Sequence, residues 1–496
     1  MNYSVARSRF VNWLKSFTLY QEIYEEAKAC LTLATPLSLA QLIEVSMITV
    51  DTWTMGALGA QALAGGALGY ITFRFLTAMG FRTLSAVNTV AAISFGAKQT
   101  SRLGEIVTQG FYLALLLAFP VIAIFVTAGI WMGFLGQEPI NVQLSQAYLQ
   151  AIWWGLPALF AYEVLRNVLS AVGRPGIITA IAAGSIFLNA GANYVLAFGK
   201  FGFPTLGLAG IGYATAIVVW VQLLAALLYV GLNPDIKQNN ILQWPNSFKF
   251  KTLSEIFEIG WTNGVYYISG GGYQVVLVYL FGCFGSVPLA AFQIANQVCL
   301  LIRDMIWGLA QAIISRVGQM YGQQNSMGIR RAGFVGIALG ALIALIYLSI
   351  VAIAKEQVVG IFLTPETELD REVFHLATQF LIIVSLLQVC NEIETTSLAA
   401  LRGIKDTRFP LFFGLVSYWG IGLGGAYLLA FHWQLEGMGL IIGYYLALVA
   451  TSIFLPIRFY MQSGNLTFES GSGPVPMPEE MEPGLDKIPA SPQQPS

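Results

Sequence analysis

Charge is what this sequence has least of. Only 10% of its 496 residues are Asp, Glu, Lys or Arg, against 56% that are hydrophobic, whereas water-soluble domains carry about 25% charged residues. A soluble fold of this composition would expose apolar patches large enough to aggregate. The chain therefore reads as one that meets lipid on most sides. Histidine is almost missing, with only His375 and His432, far apart in sequence. The four cysteines, Cys30, Cys283, Cys299 and Cys390, lie in or beside apolar runs without CxxC spacing. That pattern argues against a disulfide framework or a zinc site. A net charge of −1 gives no basic face for a nucleic-acid partner. There is no GxxxxGK[ST] phosphate loop, HExxH or GxSxG, and no paired-Asp motif on adjacent spans. An ATP-driven pump and an intramembrane hydrolase are accordingly unsupported, and the chain is not expected to be an enzyme. Residues 1–30 are not expected to be a cleavable signal, because they are amphipathic and charged with no apolar core. They read as a cytoplasmic interfacial helix leading into the first span.

What the chain has instead is long apolar runs. A membrane span needs about 20 mostly apolar residues. Twelve candidates follow, near 31–53, 62–86, 109–134, 147–171, 176–198, 207–231, 255–282, 288–314, 332–354, 374–400, 409–431 and 436–459. Basic residues test the count, since cytoplasmic loops collect Lys and Arg. With a cytoplasmic N-terminus, 18 of the 25 fall in cytoplasmic segments, and only Lys200, Lys355 and Arg371 on the other side. Arg74, Arg82, Arg166 and Arg303 fall in or near spans. An even span count with both termini cytoplasmic fits best. Residues 232–252 form the longest polar connector and divide six spans (31–231) from six (253–460). The Pro-, Gly-, Ser- and Glu-rich tail, 461–496, has too few large apolar side chains to bury a core and is expected to be disordered.

The halves echo one another. NYVLAFGKFGFPTLGLAGIGYATA (193–216) and AYLLAFHWQLEGMGLIIGYYLA (426–447) share a YxLAF span ending, a short hairpin and a Gly-rich start to the next span. EVLRNVLSAVGRP (163–175) parallels ETTSLAALRGIKD (394–406). Parallel repeats of this kind occur in transporters. The expected fold is an all-α membrane protein of about twelve transmembrane helices, in two six-helix lobes related by an internal repeat.

Ionisable groups inside spans carry the functional reading. A bare carboxylate at the bilayer centre costs about 2.5–3.5 kcal/mol, so it needs a function or a partner. Asp51 lies within or near the end of the first span, with Glu44 a long helical step away. It can bind Na⁺ or take up H⁺, or simply cap the next turn at the interface. Asn189 and Asn193 are four apart and share a face of the fifth span. Their amides suit Na⁺ or a carboxyl, and equally suit hydrogen bonding between helices. Glu163 and Arg166, three apart, can neutralise each other. In the tenth span Glu392 and Glu394 are two apart and face different sides of the helix. Gly270, Gly271 and Gly272 are expected to break or kink the seventh span and are a candidate hinge. Arg82 can snorkel to the interface, and Arg74 can pair with an acid or meet an anionic substrate. Trp153, Trp154, Tyr266 and Tyr267 read as belt or packing aromatics.

Over residues 30–460 the chain resembles the MATE (multidrug and toxic compound extrusion) family, in its NorM-type bacterial branch. The matching pieces are PLSLAQ (36–41), VDTWTMG (50–56) with LGAQALAGGALG following, GAK (96–98), LNAGANY (188–194), FGKFG (198–202), GIGYATA (210–216) and LRGIKD (401–406). The resemblance implies two six-helix lobes around a central V-shaped cavity, and export of organic cations or similar amphiphiles driven by inward H⁺ or Na⁺. No cofactor other than that ion is implied, and the partners are the lipid bilayer and a small organic cation or amphiphile, with the chain expected as a monomer. It also implies that Asp51 is the first-lobe cation residue, lined by Asn189 and Asn193 and joined by Thr215. Some relatives carry Asp at the position of Asn193. NorM-type relatives also carry Asp where this chain has Asn391, and a Glu in the seventh span where it has Gly270–Gly271–Gly272. Both usual second-lobe acids are thus missing, and Glu392 or Glu394 is the candidate substitute. A lipid-linked precursor flippase of the wider superfamily is the alternative; such relatives usually have a basic central cavity.

Overall fold

The computed structural model describes residues 3–239, 241–242, 248–364 and 366–466, without the side chains of 3–19, 235 and 301. The tail from residue 467 onward therefore lies outside the described residues, as does the middle of the 232–252 connector. Every regular element among the described residues is a helix. A chain in lipid must satisfy its backbone internally, and helices do so within one segment.

Twelve helical segments coincide one to one with the expected spans. They are α1 (Tyr3–Ala57), α2 (Ala60–Gly96), α3 (Thr100–Val126), α4 (Pro139–Ile152 and Leu156–Ala171), α5 (Gly176–Phe198), α6 (Gly207–Leu232), α7 (Phe250–Gly282), α8 (Ser286–Gly322), α9 (Ser326–Gly360), α10 (Glu368–Gly403), α11 (Arg408–His432) and α12 (Glu436–Asn465). Ten of them are long and apolar enough to cross a membrane. The other two are α4, which a 3-10 turn at Trp153–Gly155 divides, and α7, whose first turns are polar. The expected interfacial N-terminal helix and the first span form one continuous helix, α1.

One expectation fails. Gly270, Gly271 and Gly272 neither break nor kink the seventh span, because α7 runs through them as regular helix. Inside a bilayer a broken helix strands backbone groups with no water to bond, which outweighs the low helix propensity of Gly. Gly270 and Gly272 instead lie against α11, while Gly271 faces open space. A Cβ on Gly272 would touch Trp419 at 3.4 Å and one on Gly270 would touch Tyr418 at 3.9 Å. Trp419 Nε1 donates to Ser269 Oγ at 2.9 Å across the same contact. The irregularity lies in α11, where Val416–Gly422 and Leu428–His432 are π-helical.

The repeat is visible in packing. In the first half a Cβ on Gly210 would lie 2.6 Å from the Leu196 backbone, and in the second a Cβ on Gly439 would lie 2.5 Å from the Ala430 backbone. Leu196–Ala197 and Leu429–Ala430 occupy the same place in the two YxLAF endings, so each lobe locks its last hairpin with the same glycine-on-backbone contact.

The lobes meet mainly along α8, which packs on α1 and the second part of α2, and along α7 against α2. Side-chain bonds between lobes fall toward the basic loops. Asn88 Nδ2 donates to Gln311 Oε1 at 3.3 Å, Ser315 Oγ to Asn88 Oδ1 at 2.9 Å, and Gln319 Nε2 to the Ala171 carbonyl at 2.8 Å. Arg316 binds Glu26 through two bonds of 2.8 Å. Glu255 takes Arg102 from one lobe and Lys405, at 2.5 Å, from the other. Gly322 sits so close to α2 that a Cβ would fall 2.0 Å from the Ile93 carbonyl oxygen. This end is closed.

Candidate functional site

Asp51 projects from α1 and is 7% exposed. Asn193 Nδ2 donates to its Oδ1 at 2.7 Å and also lies 3.3 Å from Asn189 Oδ1. Thr215 Oγ1 reaches Asp51 Oδ2 at 3.5 Å. The structure thus brings together all four residues named from sequence, on α1, α5 and α6. The i, i+4 spacing stacks the two asparagines on one face, and both are buried. Asn193 Oδ1 and Asn189 Nδ2 are buried without a partner. No Lys or Arg pairs with Asp51 among the described residues. The cluster is an oxygen-rich acid site able to accept one positive charge.

Glu163 and Arg166 form the expected pair at 3.6 Å, but Arg166 is shared, with Glu44 of α1 at 3.0 Å. Glu163 also accepts from Asn167 at 2.9 Å. Asn167 Oδ1 then takes Gln311 Nε2 at 3.3 Å, and Ser170 and Ser315 lie 3.1 Å apart. A continuous polar chain therefore links α1, two turns below Asp51, to the lobe interface. Sequence spacing showed only its first link.

The second lobe is built differently. Glu394, the repeat counterpart of Glu163, has no arginine partner among the described residues. Its Oε1 accepts from the hydroxyls of Tyr266 and Tyr418, both at 2.5 Å, and its Oε2 from Thr451 at 2.5 Å. Three helices, α7, α11 and α12, deliver those hydroxyls to one buried carboxylate on α10. Tyr418 does so from the π-helical turn of α11, and such turns recur at functional sites. Tyr266 is therefore a buried hydrogen-bond donor rather than a belt aromatic. Glu392 faces another way, as expected: it is fully buried, held by Gln388 of its own helix, with Oε2 unpartnered. Asn391 is half-buried beside them. Nothing in the sequence alone pointed to Tyr418 or Thr451, which lie 24 and 57 residues away in the chain.

The arginines line the seam between lobes. Arg74 Nη2 is 3.9 Å from Asp304 of α8, with side chains 48% and 27% exposed, and its Nη1 is 3.4 Å from the Tyr70 hydroxyl. Arg82 does not snorkel. Its guanidinium lies 3.3 Å from the Trp307 ring centre and 4.8 Å from that of Tyr267. Tyr267 thus has a cation against it and is not only a packing residue. Trp153 and Trp154 stack at 4.2 Å in the 3-10 turn of α4, and the Trp154 carbonyl accepts from Trp220 Nε1 at 3.0 Å.

The family model described as MatE matches two stretches of the chain, residues 36–195 and 267–428, one in each half. A probable multidrug resistance protein NorM of Synechocystis sp. is 32% identical over 434 residues, covering 88% of this chain and 94% of that protein. Another probable multidrug resistance protein NorM, of Synechococcus sp., is 31% identical over 456 residues, covering 92% and 98%. Among solved structures, the eukaryotic MATE transporter AtDTX14 superposes with a TM-score of 0.77 at 19% identity, over 89% of this chain and 98% of that one. An outward-facing multidrug resistance MATE family transporter of the MOP superfamily gives 0.80 at 18% identity, over 89% and 97%. At these identities the superpositions establish the two-lobe fold.

Proposed function

The chain belongs to the MatE family of multi-pass membrane transporters, and we propose from that premise that it is a secondary antiporter exporting organic cations or amphiphilic drugs and toxins in exchange for H⁺ or Na⁺. The proposal rests most on Asp51, a buried carboxylate that gathers two asparagines and a threonine but, among the described residues, no basic residue. Carboxylate and amide oxygens are the ligands Na⁺ takes. A proton on Asp51 would equally suit the unpartnered Asn193 Oδ1, as an O–H donor facing an acceptor. Either ion removes the negative charge that now holds Asn193 and Thr215. That change at the junction of α1, α5 and α6 biases the first lobe between two arrangements. It passes to the lobe interface through Glu44, Arg166, Glu163, Asn167 and Gln311.

The closed end carries the basic loops, so the cytoplasmic side is the sealed one and the cleft opens outward. We place the protein in the bacterial plasma membrane with both termini cytoplasmic, working as a monomer. The flippase alternative is not favoured, since relatives matching 88% and 92% of the chain are named for multidrug resistance. In everted vesicles Asp51→Asn is expected to cut drug-dependent transport about tenfold or more, with the protein still in the membrane at normal level. Wild-type rates in Asp51→Asn would sink the proposal.

A further inference from the structure

Arg82 is the charge at the lobe interface that the proposed mechanism does not use. It stands on α2 of the first lobe, half-buried, and lies flat on Trp307 of α8 at 3.3 Å, with Tyr267 of α7 at 4.8 Å. Both rings belong to the second lobe. Stacking occupies the face of a guanidinium and leaves its N–H edge free, and that edge is the fork that grips a carboxylate bidentately. Among the described residues no side chain or carbonyl accepts from the Arg82 guanidinium, and no carboxylate lies within ion-pair distance. The nearby acids are already engaged: Asp304 by Arg74 at 3.9 Å, and Glu44 and Glu163 by Arg166 at 3.0 and 3.6 Å. Arg303, one residue before Asp304 and half-buried, likewise has no ion pair or hydrogen bond among the described residues. Glu392 is fully buried and beyond ion-pair distance of it. Arg74 keeps 48% of its side chain exposed.

This seam lies where the lobes begin to part. On its cytoplasmic side Gly308, Gly318 and Gly322 press α8 onto α1 and α2, and beyond Arg74–Asp304 no hydrogen bond or ion pair joins the lobes among the described residues. Arg74 and Arg82 lie near one aspartate there, Asp304, beside an indole and a phenol. An uncompensated guanidinium held in a membrane protein is costly unless a partner arrives. We infer that this seam between the lobes binds the acidic group of an aromatic amphiphile, a carboxylate or sulfonate, with Arg82 gripping the anion and Trp307 and Tyr267 flanking the ring. This rests on the antiporter reading for its physiological sense and assigns a substrate class within it: amphiphiles bearing an acid rather than simple organic cations.

The test is equilibrium binding to the purified full chain in nanodiscs, using three matched radiolabelled probes: naphthalene-2-carboxylate, naphthalene-2-carboxamide and 2-(aminomethyl)naphthalene. Wild type should bind the carboxylate about tenfold or more tighter than the other two. Arg82→Gln should erase that preference while leaving carboxamide binding in place, which also reports that the variant is folded. Arg82→Lys, with a charge but no planar fork, should keep only part of it, and Asp304→Asn should tighten the carboxylate further. Equal or tighter binding of the ammonium probe by wild type would overturn the inference, as would an unchanged preference in Arg82→Gln. So would a carboxylate preference that disappears whenever phosphatidylglycerol is present, since the site would then hold a lipid headgroup. Transport separates this inference from the antiporter reading. Gradient-driven export of the ammonium probe alone leaves that reading standing without this one, and acid-selective binding with no transport of any probe does the reverse.

Discussion

Asp51 and Glu394 are both buried carboxylates with no basic partner among the described residues, and they are held in different ways. Asp51 shares amides that have spare capacity, because Asn189 Nδ2 and Asn193 Oδ1 are unpartnered. Glu394 has its two oxygens filled by three hydroxyls at 2.5 Å. The first arrangement keeps a spare acceptor, Asn193 Oδ1, beside the carboxylate; the second reads as a clasp joining α7, α10, α11 and α12. Hydrogen bonds to a charged group contribute about 1.5–3 kcal/mol each. Glu394→Gln, which removes the charge and turns one acceptor into a donor, should therefore destabilise the protein by about 2–4 kcal/mol. Thermal unfolding in detergent checks this, and an unchanged midpoint would contradict it. Thr451→Val, losing one of the three donors, should cost about half as much. The Asp51 cluster was legible because its residues sit on quotable motifs and its asparagines share a helix face. The donors to Glu394 were not, since hydroxyls from three other helices meet it only through tertiary packing. Arg82 failed for a similar reason: snorkelling is a rule about one helix, and the Trp307 face comes from another lobe.

At the scale of elements, all twelve expected spans fall on helical segments, ten of them long and apolar enough to cross a membrane, but composition misjudged where the chain is irregular. Three consecutive glycines looked like a break in α7, and the π-helical turns fall in α11 instead, at VSYWGIG and LLAFH. Low intrinsic propensity loses to the demand that every backbone group in lipid be bonded. Gly271 makes the difference testable. A Cβ there meets nothing within 4 Å, and Ala in a helix is favoured over Gly by about 1 kcal/mol. Gly271→Ala should raise stability by about that amount and leave the transport rate unchanged. A large loss of transport with the fold intact would restore the hinge. Gly439 is the opposite case, its would-be Cβ buried against the Ala430 backbone. Gly439→Val should cost about 1–3 kcal/mol by overpacking, and Gly210→Val, its repeat counterpart, a similar amount. Melting curves of the two variants check the repeat directly.

Across the whole molecule the closed side is tied by charges that cross between lobes. Glu255 of α7 holds Arg102 of α3 across the lobes, and Arg316 of α8 grips Glu26 of α1, while Lys405 adds a bond to Glu255 within the second lobe. Arginines counted toward the topology thus also serve as interlobe ties, a role that the count of Lys and Arg did not suggest. Weakening them should favour opening on that side. With Glu255→Gln, a cysteine placed at the fully buried Ser315 should react several-fold faster with an impermeant maleimide applied from the cytoplasmic face. No change in rate would mean that glycine packing alone holds the lobes shut.

The central claim is that cation movement and export are coupled at Asp51. The most direct measurement is cation flux, H⁺ and Na⁺ read separately, on adding substrate to the full-length protein reconstituted in liposomes. Wild-type protein should move H⁺ or Na⁺ against the substrate in a fixed ratio. Asp51→Asn protein that still binds substrate should move neither ion. Substrate-triggered cation flux of wild-type ratio in Asp51→Asn would contradict the account.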